Sequence, residues 1–464
     1  MKYAAFIVAF ALGVPAVSFA AASSARLRGW LLAALIFSTA LGDVANIYFL
    51  FTRYRGPDRG FEVNLTDLIA WGMIIALLLR YPTKICWVPY NSSWMFVFFG
   101  IACASAWGAP DRLLASFSLF KLVRMYALFW CVVNCLRVGT RLEYVWTGLV
   151  AIGAFMTALV VKQKYLDGIV RVPGPFDHSN TVTSFLNLIL PVVLVWGLCD
   201  RRLTRGRALA SLAAAFGSVF AVVSTLSRAG LVLAAGCMMG ALGIANLRAR
   251  SVRVTATSLV VCLGMLAGGL KSADTLFERF RGAPEESALA RKEFEAAAAW
   301  MVNDRPLQGV GLNNFSYVLT IPSKYRENFK TMAGERQAGV AHHIYLLTAA
   351  EMGYPGLIVF VILIGRFAWL AGRHAWGARS LEALLLFGFF LGLCALYAVG
   401  FLEWTLRITP VSYLFIISCG ICVALAEAVR QRRELDRAAS AQRPYRTAST
   451  RVRPEAAASP SLSP

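Results

Sequence analysis

Acidic residues and histidines are scarce in this chain: 25 Asp and Glu stand against 46 Lys and Arg, and 464 residues include four His. No Asp/Glu/His cluster with metal-ligand spacing falls in any segment expected outside the apolar runs, so neither metal nor cofactor is expected. A glycine-rich nucleotide loop is also missing, so a transfer reaction here would need a donor that arrives activated. All ten cysteines (86, 103, 131, 135, 199, 237, 262, 394, 419 and 422) lie in or beside apolar runs. None falls in the longest polar segment, which excludes a disulfide framework. No basic patch interleaved with aromatics supports nucleic acid as a partner, despite a formal charge of +21. No internal repeat points to a two-fold transporter.

What the sequence has is apolar length. Hydrophobic residues make up 58% of it, in repeated runs of about 18 to 24, the length that crosses a bilayer. The expected fold is an all-α polytopic membrane protein of about 12 transmembrane helices. The spans are expected near 29–50, 64–80, 93–107, 113–136, 143–161, 181–199, 207–225, 228–246, 254–270, 344–371, 380–401 and 409–428. A further apolar segment at 3–21 either spans or, broken at Gly13 and Pro15, folds back as a hairpin.

Arginine sets the orientation, because Lys and Arg near span ends stay on the cytoplasmic side. Arg26/Arg28, Arg80/Lys84, Arg137/Arg141, Arg201/Arg202, Arg248/Arg250, Arg373/Arg379 and Arg430/Arg432 occupy alternate loops. The opposite side receives 51–63, 108–112, 162–180, 271–343 and 402–408. The expected organisation is a bundle over 1–270, a large external loop over 271–343, further spans over 344–428 and a disordered cytoplasmic tail over 429–464.

The large loop holds ten Lys/Arg and nine Asp/Glu, the mixture of a water-facing folded cap. ESALARKEFEAAAAWMVND (286–304) reads as an amphipathic helix with Leu289, Phe294, Ala297 and Met301 on its apolar stripe. Pro306, Gly309 and Gly311 then end it in a tight loop. Two adjacent histidines, His342 and His343, close the segment.

Taken in order, Arg291, Trp300, D-x-P-L-x-G-x-G-x-x-x-F over 304–315, His342 and E-x-G-x-x-G over 351–356 resemble the O-antigen ligase and O-antigen polymerase superfamily. GPFDHSN (174–180) and STLSRAG (224–230) fit the same pattern. The resemblance covers most of 171–356 and is nearest to a lipopolysaccharide O-antigen ligase; His343 departs from it, since the family commonly has Asn there. It implies a glycosyltransferase of the bacterial inner membrane, multi-pass and acting at the periplasmic face. The implied donor is a glycan on undecaprenyl diphosphate, the acceptor a sugar of the lipid A core oligosaccharide, and membrane lipids surround both.

Each candidate residue has an ordinary alternative. His342 is the expected general base, since imidazole is poised near neutral pH, yet it would also suit the cap of the following helix. His343 is expected to orient the loop, and His178 to precede a helix entry through Ser179 or Asn180. Arg228, Arg291 and Arg171 are the expected diphosphate ligands, because guanidinium matches phosphate oxygens in a rigid fork. Their alternatives are an interfacial snorkelling Arg, an i,i+4 pair with Glu295, and a solvated loop charge. Lys121 and Arg124 share one face deep in a span, where a cation needs a polar cavity or a counter-ion; they either line a diphosphate pocket or pair with Asp43 or Glu403. The rival readings are an O-antigen polymerase, a protein O-oligosaccharyltransferase using the same donor, and a transporter or flippase.

Overall fold

The computed structural model describes residues 2–263, 285–326, 339–377 and 380–441. Nine of its helices are long and apolar enough to cross a membrane. They are α1 (Lys2–Ser23), α5 (Arg112–Arg137), α6 (Leu142–Val161), α7 (Ser179–Cys199), α8 (Arg205–Ser224), α9 (Arg228–Arg248), α13 (Ile344–Ala375), α14 (Leu381–Val399) and α15 (Thr409–Ala441). Shorter helices are α2 (Ala25–Ser38), α3 (Leu65–Arg80), α4 (Ser92–Trp107), α10 (Val252–Leu263), α11 (Glu285–Asp304) and α12 (Phe315–Thr320). The chain is an all-α, multi-pass membrane protein.

α7 is apolar all round and buried all round, as a helix enclosed by others should be; α6, α8, α9, α14 and α15 surround it. It meets α14 closely because Gly388 and Gly392 remove side chains from the seam. A Cβ at Gly392 would lie 2.2 Å from the Leu188 carbonyl oxygen, and small residues spaced by four are how membrane helices let backbones approach. α1 lies outermost, against α2 and α3. It runs as one helix through Gly13 and Pro15, not as the hairpin that the sequence allowed.

Two expected spans take a different form. The run at 29–50 is helical only to Ser38; a 3-10 segment follows, and Gly42 at φ 57° turns the chain into a strand, β1 (Asn46–Phe49). β1 pairs antiparallel with β2 (Phe61–Asn64), with Asn46 opposite Asn64. The connecting loop folds inward far enough to bury Asp58. The span at 344–371 is broken inside α13, where Gly353 is non-helical at φ 69° and ψ −177°. The residues expected at 264–270 of the ninth span lie outside the described residues; the tail expected to be disordered from 429 continues α15 as helix to Ala441, and beyond 441 it too lies outside them.

The break at Gly353 has a partner. A helix that stops leaves carbonyls without their usual donors, and the D-x-P-L-x-G-x-G segment supplies them. Val310 N–H donates to Ala350 O at 2.8 Å and Gly311 N–H to Glu351 O at 3.0 Å, while Tyr354 N–H donates to Pro306 O at 2.7 Å. Both strands of this crossing need glycine: a Cβ at Gly309 would sit 2.3 Å from the Glu351 carbonyl carbon, and one at Gly353 would sit 2.5 Å from that of Leu307. The two glycine-bearing motifs therefore lock each other in place.

Candidate functional site

One end of the bundle collects the loops that carry the candidate residues. Val172 N–H donates to Ser224 O, Ile344 N–H to Gly400 O, and Asp111 N–H to the Asn314 side chain. α11 lies over this end and packs Ala297, Ala298 and Met301 against Ala349, Ala350 and Leu347 at the start of α13. Leu289, expected on that stripe, is exposed, because the buried face begins about a turn later, at Phe294.

Glu403, in the turn between α14 and α15, is the centre of the site. His342 Nδ1 lies 3.0 Å from its Oε2, and Arg291 Nη2 donates to Oε1 at 3.0 Å. The Asn180 side-chain amide also donates to Oε1, and Asn180 in turn accepts from Arg171 Nη2 at 3.0 Å. Arg171 Nε donates to Thr225 O at 3.3 Å. Leu226 follows at φ 55°, a region that leucine rarely takes, and this turn starts α9 at Arg228. Arg171, Arg291 and His342 thus converge through one carboxylate, and Arg228 opens a helix at the same end.

Burial raises the Glu403 carboxyl, but the His342 hydrogen bond and the nearby His342 and Arg291 charges outweigh it and hold it below the ordinary range. An ionised carboxylate only accepts hydrogen bonds, so His342 must present its proton at Nδ1. The Nε2 lone pair of a neutral imidazole is then left for chemistry. Glu403 is 9% exposed at its side chain, His342 32% and Arg291 40%, so the carboxylate is sheltered while both partners reach the opening. Arg291 directly, and Arg171 through Asn180, share this single acid, while Arg228 begins α9 at the same end.

The alternatives resolve differently for each residue. His343, not His342, caps α13: its Nδ1 accepts from Leu346 N–H at 3.1 Å. His178 occupies the N-cap position of α7 without a side-chain bond, and of the two residues expected to provide the helix entry Ser179 is the first helical residue while the Asn180 side chain is spent on Glu403 and Arg171. Arg291 pairs with Glu403 rather than with Glu295.

Lys121 and Arg124 are paired, though not with the expected acids. Lys121 Nζ lies 2.8 Å from Asp58, and Arg124 Nη2 lies 3.0 Å from Asp67. Asp58 is carried there by the inserted hairpin loop. Asp67 sits in the first turn of α3, bound also by the Tyr413 hydroxyl. Glu403 was unavailable because His342 and Arg291 occupy it; the Asp43 side chain lies outside the described residues. Arg407 completes this buried cluster with Glu351 at 2.9 Å and Asp58 at 3.9 Å.

Two cavities meet at the Lys121–Asp58 pair. The larger, of about 380 Å³, is apolar and lined by α4, α5, α13 and α15, including Phe98, Met125, Phe360 and Phe367. Phe96 and Val123 in its wall are half exposed, which opens it to the flank of the bundle. The smaller, of about 120 Å³, is polar and is bounded by Arg59, Asp177, His178 and Trp404. Among the described residues, no group of three or more His, Cys, Asp or Glu is disposed to hold a metal ion.

Residues 212–361 match a family model described as O-antigen ligase. The chain carries an O-antigen ligase domain. The matched stretch includes Arg228, Arg291, His342 and the crossing of the two glycine motifs, and the family supports enzymes of O-antigen ligase or polymerase type. No curated protein is matched by the chain. Glu403 lies beyond the matched stretch. The sequence offered Glu403 only as a counter-ion for Lys121 or Arg124, and not as the partner of His342 and Arg291.

Proposed function

We propose that this protein is an inverting glycosyltransferase that moves an O-antigen glycan from undecaprenyl diphosphate to a sugar hydroxyl of the lipid A core, at the periplasmic face of the inner membrane. The observation that carries the reading is the Glu403 carboxylate, with His342 Nδ1 on one oxygen and Arg291 on the other. His342 Nε2 removes the proton of the acceptor hydroxyl, whose oxygen attacks the anomeric carbon. The anomeric carbon–oxygen bond to the diphosphate breaks, and the departing charge meets Arg228, Arg291 and Arg171. Glu403 holds the imidazole in its tautomer and balances it once protonated, as a carboxylate does for a catalytic histidine.

The gathering of Arg291 and, through Asn180, Arg171 on one carboxylate supports it as the diphosphate position, because fixed cations stabilise the charge that develops on the leaving group. The apolar cavity supports lateral entry of a lipid carrier, since its exposed wall faces the surroundings of α4 and α5. Lys121 and Arg124 drop out as diphosphate ligands in this reading, being matched by Asp58 and Asp67. The test is a purified transfer assay offering lipid-linked glycan together with lipid A core, a peptide or a second lipid-linked glycan. Sugar on the core is the expected result. Extension of the second glycan makes the protein a polymerase, modification of the peptide makes it a protein glycosyltransferase, and transfer to none of them overturns the proposal.

A further inference from the structure

The small polar cavity beside Glu403 has a composition of its own. Its floor holds the Lys121–Asp58 pair, Arg124, Glu62 and Thr409; its walls include Tyr48, Phe176 and Trp404; its rim carries Arg59, Asp177 and His178. The floor is committed: Thr409 Oγ1 donates to Glu62 at 2.6 Å, and Arg124 donates to the Glu62 carbonyl. The rim is not. Arg59, Asp177 and His178 are exposed, and no side-chain hydrogen bond or ion pair holds any of them among the described residues.

Charge decides what such a cavity takes. The lining sets the cations Lys121, Arg124 and Arg59 against the acids Asp58, Glu62 and Asp177, so no cationic excess remains for a phosphate. A phosphate placed here would meet the Asp58 and Asp177 carboxylates. A neutral polyhydroxyl ring suits the same groups, because its hydroxyls both donate to a carboxylate and accept from guanidinium and imidazole. Its apolar face also has aromatic walls to rest on, and large rings with a polar edge are effective there.

We propose that this cavity is a carbohydrate subsite, taking one sugar ring of a substrate against Trp404, with Asp177, His178 and Arg59 as its hydrogen-bonding rim. The inference rests on the glycosyl-transfer reading of the neighbouring site. Two chain segments carry the cavity directly to that site: Trp404 follows Glu403, and His178 precedes the Asn180 that binds Glu403. A ring seated here lies beside the imidazole, and its source is either the acceptor core or the donor glycan. GPFDHSN thereby gains a role as the cavity's outer wall.

The test separates binding from turnover. Full-length protein in lipid nanodiscs is titrated by ligand-observed NMR with two soluble probes, core oligosaccharide freed of lipid A and O-antigen glycan freed of its lipid carrier. Wild type should bind one of them, and which one identifies the source. Asp177→Ala should weaken that binding about 10- to 100-fold, the worth of a hydrogen bond to a charged group, and Trp404→Ala should weaken it as well. Asp177 is exposed and unbonded, so its loss leaves the fold intact even where Trp404→Ala does not. Equal binding by wild type and Asp177→Ala, or no binding of either probe, overturns the subsite. Binding that depends on Asp177 in a protein that transfers nothing upholds the subsite and sinks the transfer reading instead.

Discussion

The chain builds two clusters around arginine and carboxylate, and they behave as opposites. Around Asp58 and Asp67 every cation has its acid, both members of each pair are nearly sealed, and the Lys121 and Arg124 side chains are 7% or less exposed. Around Glu403 one sheltered carboxylate serves His342, Arg291 and Asn180, while Arg291 and His342 remain open to solvent. The first arrangement spends its charge inside the protein. The second leaves some of it open to solvent, and that openness, more than the presence of charge, sets the proposed reactive end apart.

The comparison breaks most visibly in the sealed cluster. Arg124→Ala leaves Asp67 buried without its cation, and removing one partner of a buried pair costs about 3 to 5 kcal/mol. The expected outcome is a large loss of folded, monodisperse protein in thermal melts; a melting point like that of wild type would erase the distinction between the clusters. Next in size is His342→Ala. It should lower transfer about 10²- to 10⁴-fold with the melt unchanged, and activity near wild type would return His342 to the helix rim.

Glu403→Gln sharpens the contrast from within the open cluster. Transfer should fall about 10- to 100-fold, the worth of a charge-assisted hydrogen bond, and stability should lose part of its pH dependence. Because the folded-state pKa is depressed, the carboxylate's contribution is fully present above the unfolded value of about 4.3. It is lost as pH falls through the lower folded value. A Gln variant with the wild-type acid limb in its stability curve would show that Glu403 is not the linked group.

Arg228→Ala and Arg291→Ala should each reduce transfer about tenfold or more, with lysine recovering only part, since a point charge lacks the bidentate fork. Full recovery by lysine would argue against phosphate contact. The smallest effect belongs to His343→Asn. Asn is among the best N-cap residues and can accept from Leu346 N–H as His343 does, so transfer should stay within about twofold, a few tenths of a kcal/mol. A dead His343→Asn enzyme would exchange the roles assigned to the two histidines.

Apolar length made most of the helices readable, and α11 was readable from its helix formers. Gly353 was not, because a glycine between apolar residues looks the same in a straight helix and a broken one; only the donors from 310 and 311 decide it. The 29–50 run misled for a related reason, since hydropathy does not distinguish a helix from the β1 strand that follows Gly42. Arg171, Arg291 and His342 were singled out by residue chemistry and resemblance, whereas the carboxylate they converge on in the fold was named only as a counter-ion for Lys121 or Arg124. Asp58, Asp67 and Glu403 are assigned to their cations by tertiary placement, and no spacing along the chain records that.

The break in α13 also matters for how the protein meets its bilayer. A transmembrane helix adjusts to hydrophobic thickness by tilting, and an unbroken α13 would swing its outer end, with His342, by the same angle. With Tyr354 below the break pinned to Pro306, and Ala350 and Glu351 above it pinned to residues 310 and 311, the bend is fixed and the outer turns are anchored to this loop segment. We therefore expect turnover in nanodiscs to depend little on acyl-chain length, because the imidazole takes its alignment from the outer loops and not from the membrane.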